Sequence, residues 1–350
     1  MTCIKNDKIN ILGRHIVNDD NSVSFFWTGS GIEFLTNTTN VVLNVEAKYG
    51  ALDIWVTVEV NGAFVSRTML FEGENRIGVL HSMEEGKFNR VRILKETQLE
   101  PEGNHYLRFI SLTDFDGNDI SLGEPPKYDM VIDFYGDSLT TGEGLHGSVG
   151  QMDFVAAYMG FEEGYARKTA DSLNADYRIC SQSGWGVKAG FNNNINLTIP
   201  SIYKYIDGRS IPFDFGEKPA DVVIINLGTN DWAAFNAEPW VSEDGVSYKL
   251  KLDENGLPVE EDANLFVDKG ITFLNELLEY YPKAKFVWVT GMCKTDMAPL
   301  IKRVIDGSSD SSRIKFVEVL SSDDLDYGSR EHPGPLTHTN ACQKILEALK

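Results

Sequence analysis

The sequence predicts an α/β domain, a parallel sheet covered by helices on both faces, preceded by an all-β sandwich of the jelly-roll kind. Three observations predict it. A chain of 350 residues is long for one domain and suits two. Residues 1 to about 122 read as short strands and turns, with no amphipathic helix. Beyond Gly123-Glu124-Pro125-Pro126-Lys127 the rhythm becomes strand, helix, strand, the mark of a parallel sheet. The expected division is a sandwich over 1–122, a linker over 123–128 stiffened by its prolines, and an α/β domain over 129–350.

In the first part, Asp53-Ile54-Trp55-Val56-Thr57-Val58-Glu59-Val60 alternates, Asn61-Gly62 offers a two-residue hairpin turn, and Ala63-Phe64-Val65 resumes. Val41–Val45 and Arg90–Leu94 are further strands, punctuated by turns at Glu72-Gly73-Glu74-Asn75 and Asp116-Gly117-Asn118. In the second part, apolar strands fall near 130–135, 177–181, 222–227, 285–290 and 314–320. Leu265, Phe266, Ile271, Leu274, Leu277, Leu278 and Tyr281 recur at helical spacing, and Pro282 stops that helix. A last helix carries Ala341, Ile345, Leu346 and Leu349 on one face.

Composition narrows the function. The net charge is −20, from 32 basic and 52 acidic side chains, so the chain repels polyanions. Nucleic acid and anionic membranes are poor partners; a neutral sugar is unaffected by that field. Four cysteines, at 3, 180, 293 and 342, form neither a disulfide framework nor a zinc site. The histidines form no ligand-spaced pair, so no metal is expected. The opening Met1-Thr2-Cys3-Ile4-Lys5-Asn6-Asp7-Lys8 has no apolar stretch of signal-peptide length, and no window suits a membrane span. A cytoplasmic location is expected, a removed leader being the alternative.

Chemistry concentrates at strand ends. Met130–Tyr135 stops at Gly136-Asp137-Ser138, which puts a serine hydroxyl where open α/β sheets place their active sites. Leu227-Gly228-Thr229-Asn230-Asp231 closes another strand, and His332-Pro333 precedes the last helix. A fourth segment, Ser181-Gln182-Ser183-Gly184-Trp185-Gly186, follows the strand through Cys180. A serine attacks an acyl carbon when a base takes its proton and N–H donors stabilise the oxyanion. Ser138 is the candidate nucleophile and His332 the candidate base. The amide of Asn230 and the N–H of Gly184, whose missing Cβ lets backbone approach a ligand, are candidate oxyanion donors. Each signal alone is weak, since turn serines and exposed histidines are common. Four in workable order are specific.

In these four blocks the chain resembles the SGNH (GDSL-type) hydrolases, over about 200 residues. The resemblance implies a three-layer α/β/α fold and an oxyanion hole made by the N–H groups of Ser138 and Gly184 and the amide of Asn230. A second resemblance reaches the N-terminal part through Ile11-Leu12-Gly13-Arg14, Phe26-Trp27-Thr28-Gly29-Ser30-Gly31-Ile32-Glu33-Phe34 and Val91-Arg92-Ile93-Leu94-Lys95-Glu96-Thr97. Together with the four blocks these look like carbohydrate esterase family 2, which joins a jelly-roll domain to an SGNH domain and removes acetyl groups from plant polysaccharides. Arg14 and Trp27 are expected to be structural residues of the sandwich.

The chain departs from the SGNH pattern at the acid. These enzymes commonly carry an aspartate two or three residues before the histidine, where this chain has Arg330 and Ser329. The expectation is therefore a Ser138–His332 dyad with a backbone carbonyl orienting the ring, as in some members of the resembled family. Asp324 and Asp326 are outside candidates for an acidic partner. Asp137 and Asp231 are expected to brace the nucleophile and oxyanion loops, and His338 to serve a helix end.

The stretch from Asp231 to Asp262 emerges at the active-site end of the sheet and is long for a connection. Trp232 is the first candidate for stacking on a sugar, followed by Trp185 and Trp240. No apolar lid is evident, which disfavours long acyl chains. The expected function is a carbohydrate O-acetyl esterase acting on acetylated hemicellulose (mannan or xylan) oligosaccharides, with no cofactor. The alternatives are a short-chain thioesterase or general esterase, and a non-catalytic carbohydrate-binding protein.

Overall fold

The computed structural model describes residues 1–100, 103–321 and 326–350. The first strand of the second part, Met130–Gly136, lies inside a five-stranded parallel sheet. Ala175–Ser181 flanks it on one side; Val222–Asn226, Lys285–Gly291 and Ile314–Val319 follow in order on the other. The five expected strands are all present. Strand order reverses around Met130–Gly136, so a crevice opens at its carboxyl end.

Both faces of this sheet are covered. On one, Phe134, Ile179, Ile224 and Val289 pack against Ala166 and Ala170 of helix Tyr165–Ser172 and Ala341 and Ile345 of helix Pro335–Leu349. On the other, Tyr135, Val223, Ile225 and Trp288 meet Phe273, Leu274 and Leu277 of helix Glu260–Tyr280 and Ile301 and Val304 of helix Ala298–Asp306. The alternation of inward side chains along each strand feeds both layers. Leu265, expected on the buried face of its helix, points outward at 43% exposure.

The N-terminal part is two antiparallel sheets. Ile9–Leu12, Gly31–Thr36, Asn89–Lys95, Trp55–Val60 and Ala63–Met69 form one. His15–Val17, Val23–Phe25, Tyr106–Thr113, Val41–Lys48 and Gly73–Leu80 form the other, with Thr2–Cys3 added against Tyr106–Thr113. Ile32, Val56, Val91 and Ile93 from the first sheet share a buried cluster with Val23, Leu43, Val45 and Phe109 from the second. The Asn61-Gly62 turn is as expected, both residues at positive φ (54° and 82°).

The two parts are pinned together by the N-terminal motif residues. Arg14 donates to the carbonyls of Tyr203 (2.5 Å) and Tyr205 (3.1 Å), its guanidinium 4.0 Å from the ring centre of Phe213. Trp27 Nε1 donates to Ile206 O at 2.6 Å. These residues are structural, yet they fasten the sandwich to the parallel-sheet part rather than serving within the sandwich. Arg167, on helix Tyr165–Ser172, grips Glu59 through both carboxylate oxygens (2.7 and 2.8 Å), and Arg92 bonds Glu33 and Asp171 (2.9 and 3.1 Å). Buried charges of this kind are tolerated because every one is paired. The expected linker is tied down as well, since Asn10 Nδ2 donates to Pro126 O at 2.7 Å.

Candidate functional site

Three neighbouring strands end level, with Gly136 opposite both Ser181 and Asn226. Gly136 must be glycine, because a Cβ there would lie 1.8 Å from Thr140 Oγ1. That closeness lets the chain turn at once into a short helix, Ser138–Thr141, with Ser138 in its first turn. Asp137 caps it, its Oδ1 accepting from Leu139 N at 3.0 Å. Gly142, left-handed at φ 82°, ends the helix by donating its N–H to Ser138 O at 3.0 Å.

Ser138 and His332, 194 residues apart, meet here: Ser138 Oγ and His332 Nε2 are 2.8 Å apart. His332 Nδ1 lies 2.9 Å from the carbonyl of Arg330. A carbonyl only accepts, so Nδ1 carries the proton and Nε2 presents its lone pair to the serine hydroxyl. The carbonyl reaches the ring because Arg330 and Glu331 both take left-handed backbone, at φ 54° and 57°, in a loop of otherwise irregular form. Arg330 N–H in turn donates to Gln151 O at 2.7 Å.

The oxyanion candidates follow the three level strand ends. Gly184 has φ 82°, and among the described residues neither its N–H nor that of Ser138 has a backbone or side-chain acceptor. Asn230 Nδ2 donates to Trp185 O (3.0 Å) and Asp137 Oδ2 (3.2 Å), so the amide is held in place by the two loops it joins. Asp231 accepts three backbone N–H groups, from Val187 (2.8 Å), Lys188 (2.7 Å) and Ala189 (3.2 Å), and so braces the loop that follows Gly184. Burial pushes the carboxyl of Asp231 up to about 6 against the pull of those N–H groups. Burial first, with Asp231 and Glu143 adding repulsion, pushes Asp137 up to about 7.

This site belongs to a chain similar throughout to solved carbohydrate esterases. The acetyl xylan esterase Est2A from the rumen bacterium Butyrivibrio proteoclasticus is 31% identical over 99% of this chain and 96% of its own, with a TM-score of 0.93. The chain belongs to carbohydrate esterase family 2. A family two carbohydrate esterase from Clostridium thermocellum, solved in complex with cellohexaose, has the same fold (21% identity, 98% of each chain, TM-score 0.80). Among curated relatives, the cellulase/esterase CelE of Acetivibrio thermocellus is 24% identical over 97% of this chain, which spans 39% of that protein's length. No protein-family model matches the chain.

Of the two outlying acid candidates in this family 2 chain, the described one is committed elsewhere. Asp326 accepts from Thr337 N and Oγ1, both at 2.6 Å, and so holds the start of helix Pro335–Leu349. Asp324 lies outside the described residues. His338 Nδ1 accepts the N–H of Tyr165 at 3.1 Å, a helix-end role for a neighbouring helix, and burial lowers the ring to about 3.

The tryptophans divide. Trp185 is 8% exposed and packs within the core, which leaves it little face for a sugar. Trp240 sits in a small hairpin, its ring 5.7 Å from Tyr248. Trp232 is half-buried on helix Thr229–Asn236, against the core and 6.3 Å from Phe235. Sequence reasoning missed Phe191, 49% exposed, whose ring lies 3.0 Å from where a Cβ of Gly184 would stand. It also missed Glu143, five residues after the serine, whose Oε2 is 3.7 Å from His332 Nε2. An acid in the glycine-flanked turn Gly142-Glu143-Gly144 was the available signal. A cavity of about 360 Å³, lined by Val149, Cys293, Lys294, Tyr327 and Glu331 among others, borders the His332 loop.

Proposed function

We propose that the chain is a carbohydrate O-acetyl esterase that removes acetyl groups from acetylated xylan or mannan oligosaccharides. The observation that carries this reading is the 2.8 Å contact between Ser138 Oγ and His332 Nε2, with Nδ1 committed to Arg330 O. His332 takes the hydroxyl proton as Ser138 Oγ bonds to the acetyl carbon, and the carbonyl electrons move onto oxygen. The oxyanion is met by the N–H groups of Ser138 and Gly184, with one amide hydrogen of Asn230 turning from its present acceptor. The oxyanion collapses, the C–O bond to the sugar breaks, and His332 gives its proton to the departing sugar oxygen. Water, deprotonated by the same ring, then attacks the acetyl-serine and releases acetate.

Similarity to an acetyl xylan esterase supports the substrate class. Phe191 and Trp232 are the aromatic surfaces that suit a pyranose face. The two antiparallel sheets form a jelly-roll domain over 1–122, joined through 123–128 to the catalytic domain over 129–350, and the sandwich's role is to buttress the catalytic loops.

The test is acetate release from acetylated xylo- and manno-oligosaccharides by the wild type and Ser138→Ala. Release lost by about 10⁴-fold or more in the variant is expected. Faster turnover of short acyl-thiols than of acetylated sugars moves the reading to a thioesterase. Sugar binding without turnover by folded wild-type protein moves it to a carbohydrate-binding protein.

A further inference from the structure

We propose that Glu143 is a positioning residue that supplies, from the serine's own loop, a negative charge beside the catalytic ring. The inference rests on the reading of His332 as the base. Among the described residues Nδ1 meets only a carbonyl, and a carbonyl stabilises an imidazolium less than a carboxylate does. Glu143 answers from the near side. Its side chain is 5% exposed, and its Oε2 stands 3.7 Å from Nε2, the atom that becomes protonated during attack.

Two contacts hold it there. Its own N–H donates to Ser138 O at 3.0 Å, which ties its position to the nucleophile. Its Oε1 accepts from Arg330 Nη1 at 2.6 Å, and Oε2 takes no hydrogen bond from that guanidinium. Arg330 therefore serves the ring twice: its carbonyl orients Nδ1 and its side chain aims Glu143. The loops are packed back to back. A Cβ on Gly144, which has φ 86°, would lie 2.6 Å from Ser329 O and 2.9 Å from His332 Cβ, and one on Gly328 would lie 2.0 Å from Gly144 O.

Among the described residues, the other charged or titratable groups around the ring do not replace it. From the serine loop comes Asp137, committed to Leu139 and Asn230. From the histidine loop come Arg330 and Glu331; Cys293 and Lys294 line the bordering cavity with Glu331. Behind stand Asp326, committed to Thr337, and His338, uncharged by burial. Among the described residues Glu143 is the carboxylate with an oxygen turned to Nε2.

The experiment compares kcat, KM and the pH profile of acetate release from acetylated xylo-oligosaccharides for wild type, Glu143→Gln, Glu143→Asp, Arg330→Met and Ser138→Ala. Removing the carboxylate charge should lower kcat roughly 10- to 100-fold with KM within about twofold, and move the acidic limb of the profile about one pH unit down. Glu143→Asp should restore part of both. Arg330→Met strips the counter-charge from Glu143 and should move the limb upward, the opposite direction; a purely structural ion pair would give both variants the same loss and leave the limb in place. Folded Glu143→Gln with kcat and limb like wild type overturns the proposal. If Glu143→Gln does not fold, the direction of the Arg330→Met shift decides. Full activity in Ser138→Ala overturns the serine reading itself, whereas a dead Ser138→Ala beside a wild-type-like Glu143→Gln overturns only the role of Glu143.

Discussion

The serine side and the histidine side of this site are built on opposite plans. Ser138 hangs from regular structure: a strand end, a capped helix, and neighbouring loops nailed down by Asp231 and Asn230. His332 hangs from an irregular loop in which two non-glycine residues sit at positive φ, and among the described residues its Nδ1 meets one backbone carbonyl. On the serine side, Asp137, Ser138, Asn230 and Asp231 are buried and side chains carry the hydrogen bonds that brace the loops. On the histidine side, backbone and one exposed-edge ion pair do so. On the proposed reading, preorganisation is concentrated where the oxyanion would form, the larger electrostatic demand of acyl transfer, while the base would be held by a looser frame. The comparison predicts that damage to the serine side costs both stability and rate, and damage to the histidine frame costs mainly rate or little at all.

The largest effect is expected at Asp231. Asp231→Ala leaves the N–H groups of Val187, Lys188 and Ala189 buried without their acceptor. At about 1–3 kcal/mol for each orphaned group, the loss is about 3 kcal/mol or more, and acetate release should fall about 100-fold as the Gly184 turn loosens. Urea unfolding and kcat measured on one preparation check it. A variant that loses rate but keeps its urea midpoint would break the claim that buried hydrogen bonds organise this side.

Gly184→Ala is the next step down. The residue needs φ 82°, and its new Cβ would stand 3.0 Å from Phe191. Left-handed backbone costs an alanine about 1–2 kcal/mol, so the turn shifts and kcat should drop about 10- to 100-fold with a smaller change in stability. Equal kcat in the variant would show that the N–H of Gly184 does not meet the oxyanion.

These outcomes bear on what was legible in the sequence. Ser138, Gly184, Asn230 and His332 were legible because each sits in a local pattern, an apolar run broken by small or polar residues. The parallel strands were legible for the same reason. Glu143 offered only an acid between two glycines, because its meaning comes from Arg330, 187 residues away. Arg14 and Trp27 stood out in sequence, but their partners Tyr203 and Ile206 lie 189 and 179 residues off, so their pinning role was invisible. The packing of Trp185 was invisible for a related reason: sequence position near a loop glycine says nothing of which way an indole turns, and here it packs within the core.

The pH dependence of stability sharpens the comparison further. The serine side carries Asp137, pushed up to about 7, and Asp231, pushed up to about 6, both chiefly by burial. Their folded values lie above the unfolded carboxyl value of about 3.9, so the folded state holds more protons in between. Each therefore contributes stability that is complete below about pH 4 and is lost as pH rises through 6 to 7. Urea midpoints across pH 4 to 8 should fall more steeply for wild type than for Asp137→Asn, which is less stable overall but lacks one of the two titrations. Parallel curves would assign the slope to groups elsewhere.

The smallest effect should come from the histidine side. Glu331 holds φ 57° with no hydrogen bond of its own side chain among the described residues. Glycine accepts that backbone at no steric cost, saving about 1–2 kcal/mol, but it widens the unfolded ensemble by about 0.5–1 kcal/mol. Glu331→Gly should therefore raise stability by about 0.5 kcal/mol, read as a slightly higher urea midpoint. A clear fall in the midpoint would mean that the glutamate side chain is part of the frame, and that the histidine side rests on more than one carbonyl and one ion pair. The sign matters more than the size, because the same substitution on the serine side, where side chains hold the loops, has no route to a gain.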